Sequence, residues 1–232
     1  IRLFIALCLV VFAGLGFGYI FAAYQSLPAV GNNMRPAVSS QVFDSHGRLI
    51  TTLHSDQNRL PIDINKVPQN LQNAFIAAED NRFYEHIGID PIGIFRAIFA
   101  NLTNRGIAQG GSTITQQVIK NNLLSQEQTF TRKVAEILLA PSVEQKFGKD
   151  KIMEFYCNTN FYGHQCYGVE AASRYYFGKH AADLNVEEAA VLVGISNSPS
   201  AYDPVAHPKA SLEKRNDVLK SMNEIGELSD ED

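Results

Sequence analysis

From Leu3 to Tyr24 the chain carries no charged side chain. A run of that length is enough to cross a hydrocarbon core of about 30 Å as one helix. Two other readings compete. A secretory signal would have a shorter apolar region before a small-residue cleavage site, for which Ala22-Ala23 is a weak match. A buried core helix seldom runs so far without a charge. The spanning reading is preferred, and residues 1–24 are assigned to a membrane anchor. Arg2 precedes the run and no basic cluster closely follows it, so the N-terminus is placed inside and the rest outside. Gly14 and Gly18 have small-xxx-small spacing, a weak signal for helix pairing.

The 232 residues suffice for one ordinary domain plus that anchor. A formal net charge of -4 gives a nucleic-acid partner no electrostatic support. The chain starts at Ile1 and ends in Leu228-Ser229-Asp230-Glu231-Asp232, so it reads as a stretch of a longer protein. Cys8 falls in the apolar run. Cys157 and Cys166 fall beyond it, where a disulfide is chemically permitted. No paired Cys-x-x-Cys appears, and no metal-ligand set is assigned.

Residues 25–41 hold Pro28, Gly31 and Pro36 and read as a linker. The stretch from Val42 to Leu53 reads as two strands around a turn. From Pro68 the pattern is helical. Asp90-Pro91 is a helix start, followed by Ile94/Ile98 and Phe95/Phe99 pairs four apart. Gly106 to Gly111 reads as a flexible loop, after which Thr113 and Gln116 fit a capping box. A further helix begins near Thr131, with a kink or break expected at Pro141. Asn185 and Glu188 cap another. The outer domain is therefore expected to be mainly helical, with one small β element.

Leu71, Phe75 and Glu79 follow one another at steps of four, so the acid shares a face with apolar residues. A carboxylate there loses water and its pKa rises, which suits a general base near neutral pH. Alternatively, Glu79-Asp80 simply closes the helix in solvent. Ser112-Thr113 after the glycine loop exposes backbone N–H groups at a helix start, a seat for an anion. It lacks the Gly-Lys-Ser/Thr ending of a P-loop. Lys120 shares a face with Gln116. Arg132 and Glu136 are four apart, either part of a site or a surface pair adding about 0.3–0.5 kcal/mol.

In combination these features are far more specific. Glu79-Asp80-x-x-Phe83-x-x-His86-x-Gly88-x-Asp90 precedes Gly111-Ser112-Thr113-Ile114-Thr115-Gln116-Gln117-x-x-Lys120-Asn121. Arg132-Lys133-x-x-Glu136, then Lys151 to Asn158, Gly168 to Ala172 and Tyr176 to Lys179 follow in order. From about Val42 to the end, residues 42–232, this resembles the peptidoglycan glycosyltransferase module (glycosyltransferase family 51) of class A penicillin-binding proteins and monofunctional transglycosylases. The resemblance implies a mainly α, lysozyme-like fold with head and jaw lobes. It implies polymerisation of lipid II into β-1,4 glycan strands, with inversion at the donor and release of undecaprenyl diphosphate. The setting would be the extracytoplasmic side of a bacterial membrane.

By the same resemblance Glu79 is the general base and Glu136 the second acid. Lys120, Arg132 and Lys133 form the basic set near the donor diphosphate. Asp80, Phe83, His86, Ser112, Thr113, Gln116, Gln117 and Asn121 line or brace the cleft. No cofactor is obligatory; a divalent cation, Mg2+ or Mn2+, is an option at the diphosphate. The partners implied are lipid II, the growing lipid-linked strand, the membrane and other cell-wall synthesis proteins. Departures are Gln128 where Arg is common, Pro141 in a helix usually continuous, and Cys157 where Leu is usual. With Cys166 in the following loop, a Cys157–Cys166 bridge is an option, provided the Cα atoms lie about 4.4–6.8 Å apart. The stretch from Asn197 to Pro204 and Arg215-x-x-Val218-Leu219 resemble the last motif and are read as packing, not catalysis. The rivals are a glycan-cleaving enzyme, which would use its Glu as an acid and need no basic clamp, and a catalytically silent scaffold.

Overall fold

The structure, a computed structural model, describes residues 14, 16, 18–25, 27–31, 39–53, 57–103, 110–124 and 129–229. The expectation of a membrane span falls mostly outside these residues. Residues 18–25 are helical, and no helix among the described residues is long and apolar enough to cross a membrane. Gln128 and most of the Gly106–Gly111 loop also lie outside them.

The hairpin expected from Val42 onward is present. Strand β1 (Ser40–Phe43) pairs antiparallel with β2 (Leu49–Leu53). Asp44 makes the turn: its Oδ1 accepts the N–H groups of His46 and Arg48, each at 2.8 Å. A second small sheet joins distant segments, β3 (Asn58–Arg59) running parallel to β4 (Cys166–Tyr167). The single β element expected is thus two.

The rest is helical. Helix α1 (Gln69–Glu79) starts after Pro68, α2 (Pro91–Thr103) after Asp90, and α3 (Ile114–Asn122) at the Thr113–Gln116 capping box. Then come α4 (Phe130–Thr159), α5 (Val169–Phe177), α6 (Val186–Asn197) and α7 (Pro208–Glu224). The Asn185–Glu188 capping box opens α6 as expected.

Helix α4 corrects one expectation. It runs through Pro141 and breaks instead at Gly148, where φ is 74° and ψ 166°. That left-handed φ suits Gly, which has no Cβ to clash with the following carbonyl. A proline inside a helix removes one backbone bond but its φ remains helical, so flanking packing can carry the helix across it. Here that packing is Leu139, Ala140 and Val143, all buried.

The core lies where α3 packs on α4, α6 on α7, and α1 against α6 and α7. Leu71 and Phe75 of α1 are fully buried, and Phe75 meets Tyr156 of α4 edge-on at 5.0 Å. The Cys157–Cys166 bridge is not formed. Both thiols are free and sit in the core, and Cys166 Sγ–H donates to the His164 carbonyl at 3.5 Å. Burial pushes the Cys157 thiol up to about 12 and Cys166 up to about 11, which suppresses the thiolate needed to start disulfide chemistry.

Candidate active site

Glu79 ends α1 and is half-buried at the rim of a cavity of about 260 Å³. Asp80, Ser112, Gln117, Asn197 and Lys214 line the same cavity. Gln117 of α3 donates from Nε2 to Glu79 Oε2 at 2.7 Å, and Asn197 at the end of α6 donates to Oε1. Burial raises the Glu79 carboxyl above the ordinary glutamate range, against the Gln117 hydrogen bond and the charges of Lys214 and Lys120. The apolar stripe of α1 supplies that dryness. Glu79 is therefore not a solvent-facing helix end.

Asp80 is a brace. Its carboxylate accepts His86 Nε2–H at 2.9 and 3.0 Å and the N–H of Ile114, the first residue of α3, at 3.1 Å. His86 Nδ1 accepts the Gly88 N–H at 3.1 Å, which assigns the ring proton to Nε2. Thr113 Oγ1 then donates to the Gly88 carbonyl at 2.7 Å. Asp80, His86 and Thr113 thus lock the end of α1 to the start of α3, the two elements carrying Glu79 and Gln117. Gly88 has φ 90°, and a Cβ there would sit 2.7 Å from the Ala140 backbone of α4. Only glycine fits that approach.

The basic set lies on α3 and α4. Lys133 Nζ donates to Ser112 Oγ at 2.7 Å and to Glu136 Oε2 at 2.9 Å; Gln116 Oε1 is 3.5 Å away. Arg132 Nε lies 3.2 Å from Glu136 Oε1. Glu136 is only 3 % exposed, so the surface-pair reading of Arg132 and Glu136 is overturned. The i,i+4 spacing is the same in either case; burial beneath Lys133 and α3 is what differs. Lys120 is half-buried. Burial lowers its pKa, partly offset by the attraction of Glu136 and Glu79. Three cations thus surround one carboxylate, leaving an excess of positive charge beside Ser112, an arrangement suited to an anion. The helix start itself is not the free seat its sequence suggested: the N–H groups of Thr113, Ile114 and Gln116 already donate to the Gln116, Asp80 and Thr113 side chains.

Both oxygens of Glu136 face Arg132 or Lys133, so this carboxylate is already paired with cations rather than open to a metal. Of the expected site residues, Glu79, Asp80, Ser112 and Gln117 line the Glu79 cavity, whereas His86, Thr113, Gln116, Lys120, Arg132, Lys133 and Glu136 do not. Phe83 is fully buried with Lys149 Nζ 4.4 Å over its ring, and Asn121 donates to Asn160 Oδ1 at 3.0 Å; neither lines it.

The family model described as Transglycosylase matches residues 46–223, most of the chain and all of this constellation. The chain belongs to the transglycosylase family. The reaction class read from the motifs, peptidoglycan glycosyl transfer, stands with it. The chain is 44 % identical over 215 residues to "Penicillin-binding protein 1A" of Aquifex aeolicus, covering 92 % of this chain and 30 % of that protein. It is 38 % identical over 233 residues to "Penicillin-binding protein 1A" of Escherichia coli, covering 98 % and 27 %. The chain thus spans less than a third of these relatives' length. A crystal structure of penicillin-binding protein 1A from Haemophilus influenzae gives a TM-score of 0.45 at 24 % identity, over 85 % of this chain and 20 % of that one.

Four polar residues of this transglycosylase's Glu79 cavity were not anticipated from the sequence: Asn81, Arg96, Asn197 and Lys214. Asn197 opens a stretch read as packing, Lys214 directly precedes the Arg215 motif read the same way, and Arg96 of α2 donates to Asn81 Oδ1 at 3.0 Å. The exposed Asn-Ser-Pro turn at the end of α6 was the available signal for Asn197. Lys214 also closes the one Ser-x-x-Lys in the chain, which begins at Ser211. Ser211 is buried inside α7 and does not line the cavity, so the two are not a nucleophile and its base.

Proposed function

We propose that this chain polymerises lipid II into β-1,4 glycan strands on the extracytoplasmic side of a bacterial membrane, anchored by its N-terminal apolar run. The head-and-jaw arrangement of the family is part of that reading. The observation that carries it is a half-dry carboxylate, Glu79, facing the same cavity as Ser112, whose hydroxyl holds Lys133 of the basic cluster.

In this reading Glu79 accepts the proton of the 4-hydroxyl on the incoming GlcNAc. That oxygen bonds to the anomeric carbon of the donor MurNAc from the face opposite the diphosphate. The carbon–oxygen bond to the diphosphate breaks, and configuration at that carbon inverts. The diphosphate is an acidic leaving group, so it needs charge stabilisation more than a proton. Lys120, Arg132 and Lys133 supply it, and Glu136 holds the last two in register. No step is assigned to a metal.

The test is purified protein in detergent with lipid II. Glycan polymer should form, and Glu79→Gln should abolish it while helical content is unchanged. Polymer from the variant would refute the base assignment. Sugar fragments released from finished peptidoglycan would instead favour glycan cleavage.

A further inference from the structure

Glu79 receives two side-chain amides, one on each oxygen. Gln117 comes from α3 within the family's central motif. Asn197 comes from the opposite wall, at the last residue of α6, and donates to Oε1. We infer that Asn197 is a positioning residue for the base: it fixes the Glu79 carboxylate and, through it, ties the end of α6 to the reacting centre. This rests on the reading of Glu79 as base.

The geometry argues for a specific role. A carboxylate at a helix end can rotate about its side chain, and one donor leaves it free to swing about that bond. A second donor on the other oxygen fixes the plane of the group, so the lone pair left on each oxygen points one way. For a base that must meet a sugar hydroxyl at hydrogen-bond distance, that fixed direction is worth rate rather than affinity. A donor to the carboxylate also favours its charged form. The other charged or titratable groups facing Glu79 are Asp80 beside it, Lys120 of α3, Tyr156 of α4, Tyr162, and Lys214 of α7. None of these supplies a hydrogen bond to Oε1, so Asn197 alone among the described residues controls that oxygen.

The experiment compares Asn197→Ala, Asn197→Asp and Asn197→Gln with the parent chain in detergent, measuring kcat and KM for lipid II from pH 4 to 9. Asn197→Ala should lower kcat by about tenfold with KM nearly unchanged, the size expected for losing one bond to a charged group. Its activity should rise with pH at a higher midpoint than the parent's, by about one unit. The isosteric Asn197→Asp replaces a donor with a negative charge and should move the midpoint further. Asn197→Gln, which keeps the amide, should recover part of kcat. Thermal melts of each variant separate these effects from unfolding. Glu79→Gln is run alongside. If it is inactive while Asn197→Ala and Asn197→Asp keep the parental kcat and pH profile, the inference falls and the base assignment survives. If Glu79→Gln still polymerises, the base assignment itself falls.

Discussion

Burial of Glu79 at the end of α1, against Gln117 of α3, makes it a costly residue. Because its folded pKa is raised, the folded state binds the proton more tightly than the unfolded chain. The carboxylate therefore subtracts from stability at neutral pH, and that cost is relieved as pH falls through the folded value. Glu79→Gln should raise Tm at pH 7 while abolishing polymerisation, with the difference shrinking in acid; calorimetry across pH checks it. In the active parent, kcat should climb with pH through a single ionisation whose midpoint lies above the ordinary glutamate value of about 4.3. Glu136 differs in kind. It is buried between Arg132 and Lys133, so removing either cation leaves a dry carboxylate short of a partner. Arg132→Ala should destabilise by about 1–3 kcal/mol in denaturant melts as well as slow polymerisation. A wild-type midpoint in that variant would mean the pair is structurally idle.

Between elements, the contacts that place the cleft are few and specific. Gly88 lies against the α4 backbone, and Gly88→Ala would set a Cβ 2.7 Å from Ala140 at a φ of 90°. It should cost several times the ~1 kcal/mol typical of a point change, read as a drop in denaturant midpoint, because both the clash and the strained backbone oppose it. At the start of α5, Glu170 is buried and accepts Arg174 Nε–H at 2.6 Å and the Ala181 N–H at 2.9 Å, with His180 Nδ1 2.9 Å away. Burial alone would raise its pKa, but these partners outweigh it and hold the carboxyl below the usual range. Its stabilisation is therefore full above about pH 4.3, the unfolded value, and is lost as pH falls through the folded one. Glu170→Gln should flatten the loss of stability below that pH, measured by urea melts at stepped acidity.

Across the whole molecule, the thiols of Cys157 and Cys166 report how the chain closes. Cys157 and Cys166 both belong to the core that joins α4 to β4, and neither reaches solvent. Native protein should leave both unmodified by iodoacetamide at pH 8, and peptide mapping without reductant should find no peptide linking them; a linked peptide would overturn the free-thiol arrangement. The helix starts at Asp90, Thr113 and Asn185 were legible in the sequence because caps and periodicity depend on bonds within four residues. So was the family, since Glu79, Lys120 and Glu136 sit in motifs that read linearly. The pairing of β3 with β4, the break at Gly148 rather than Pro141, and the burial of Arg132–Glu136 were not. Nor was the arrival of Asn197 and Lys214 at Glu79. Local sequence determined which segments are helices and which side chains belong to the family's motifs. Tertiary structure decided which of those side chains are dry and which share a cavity, because burial and proximity depend on what another, distant segment covers.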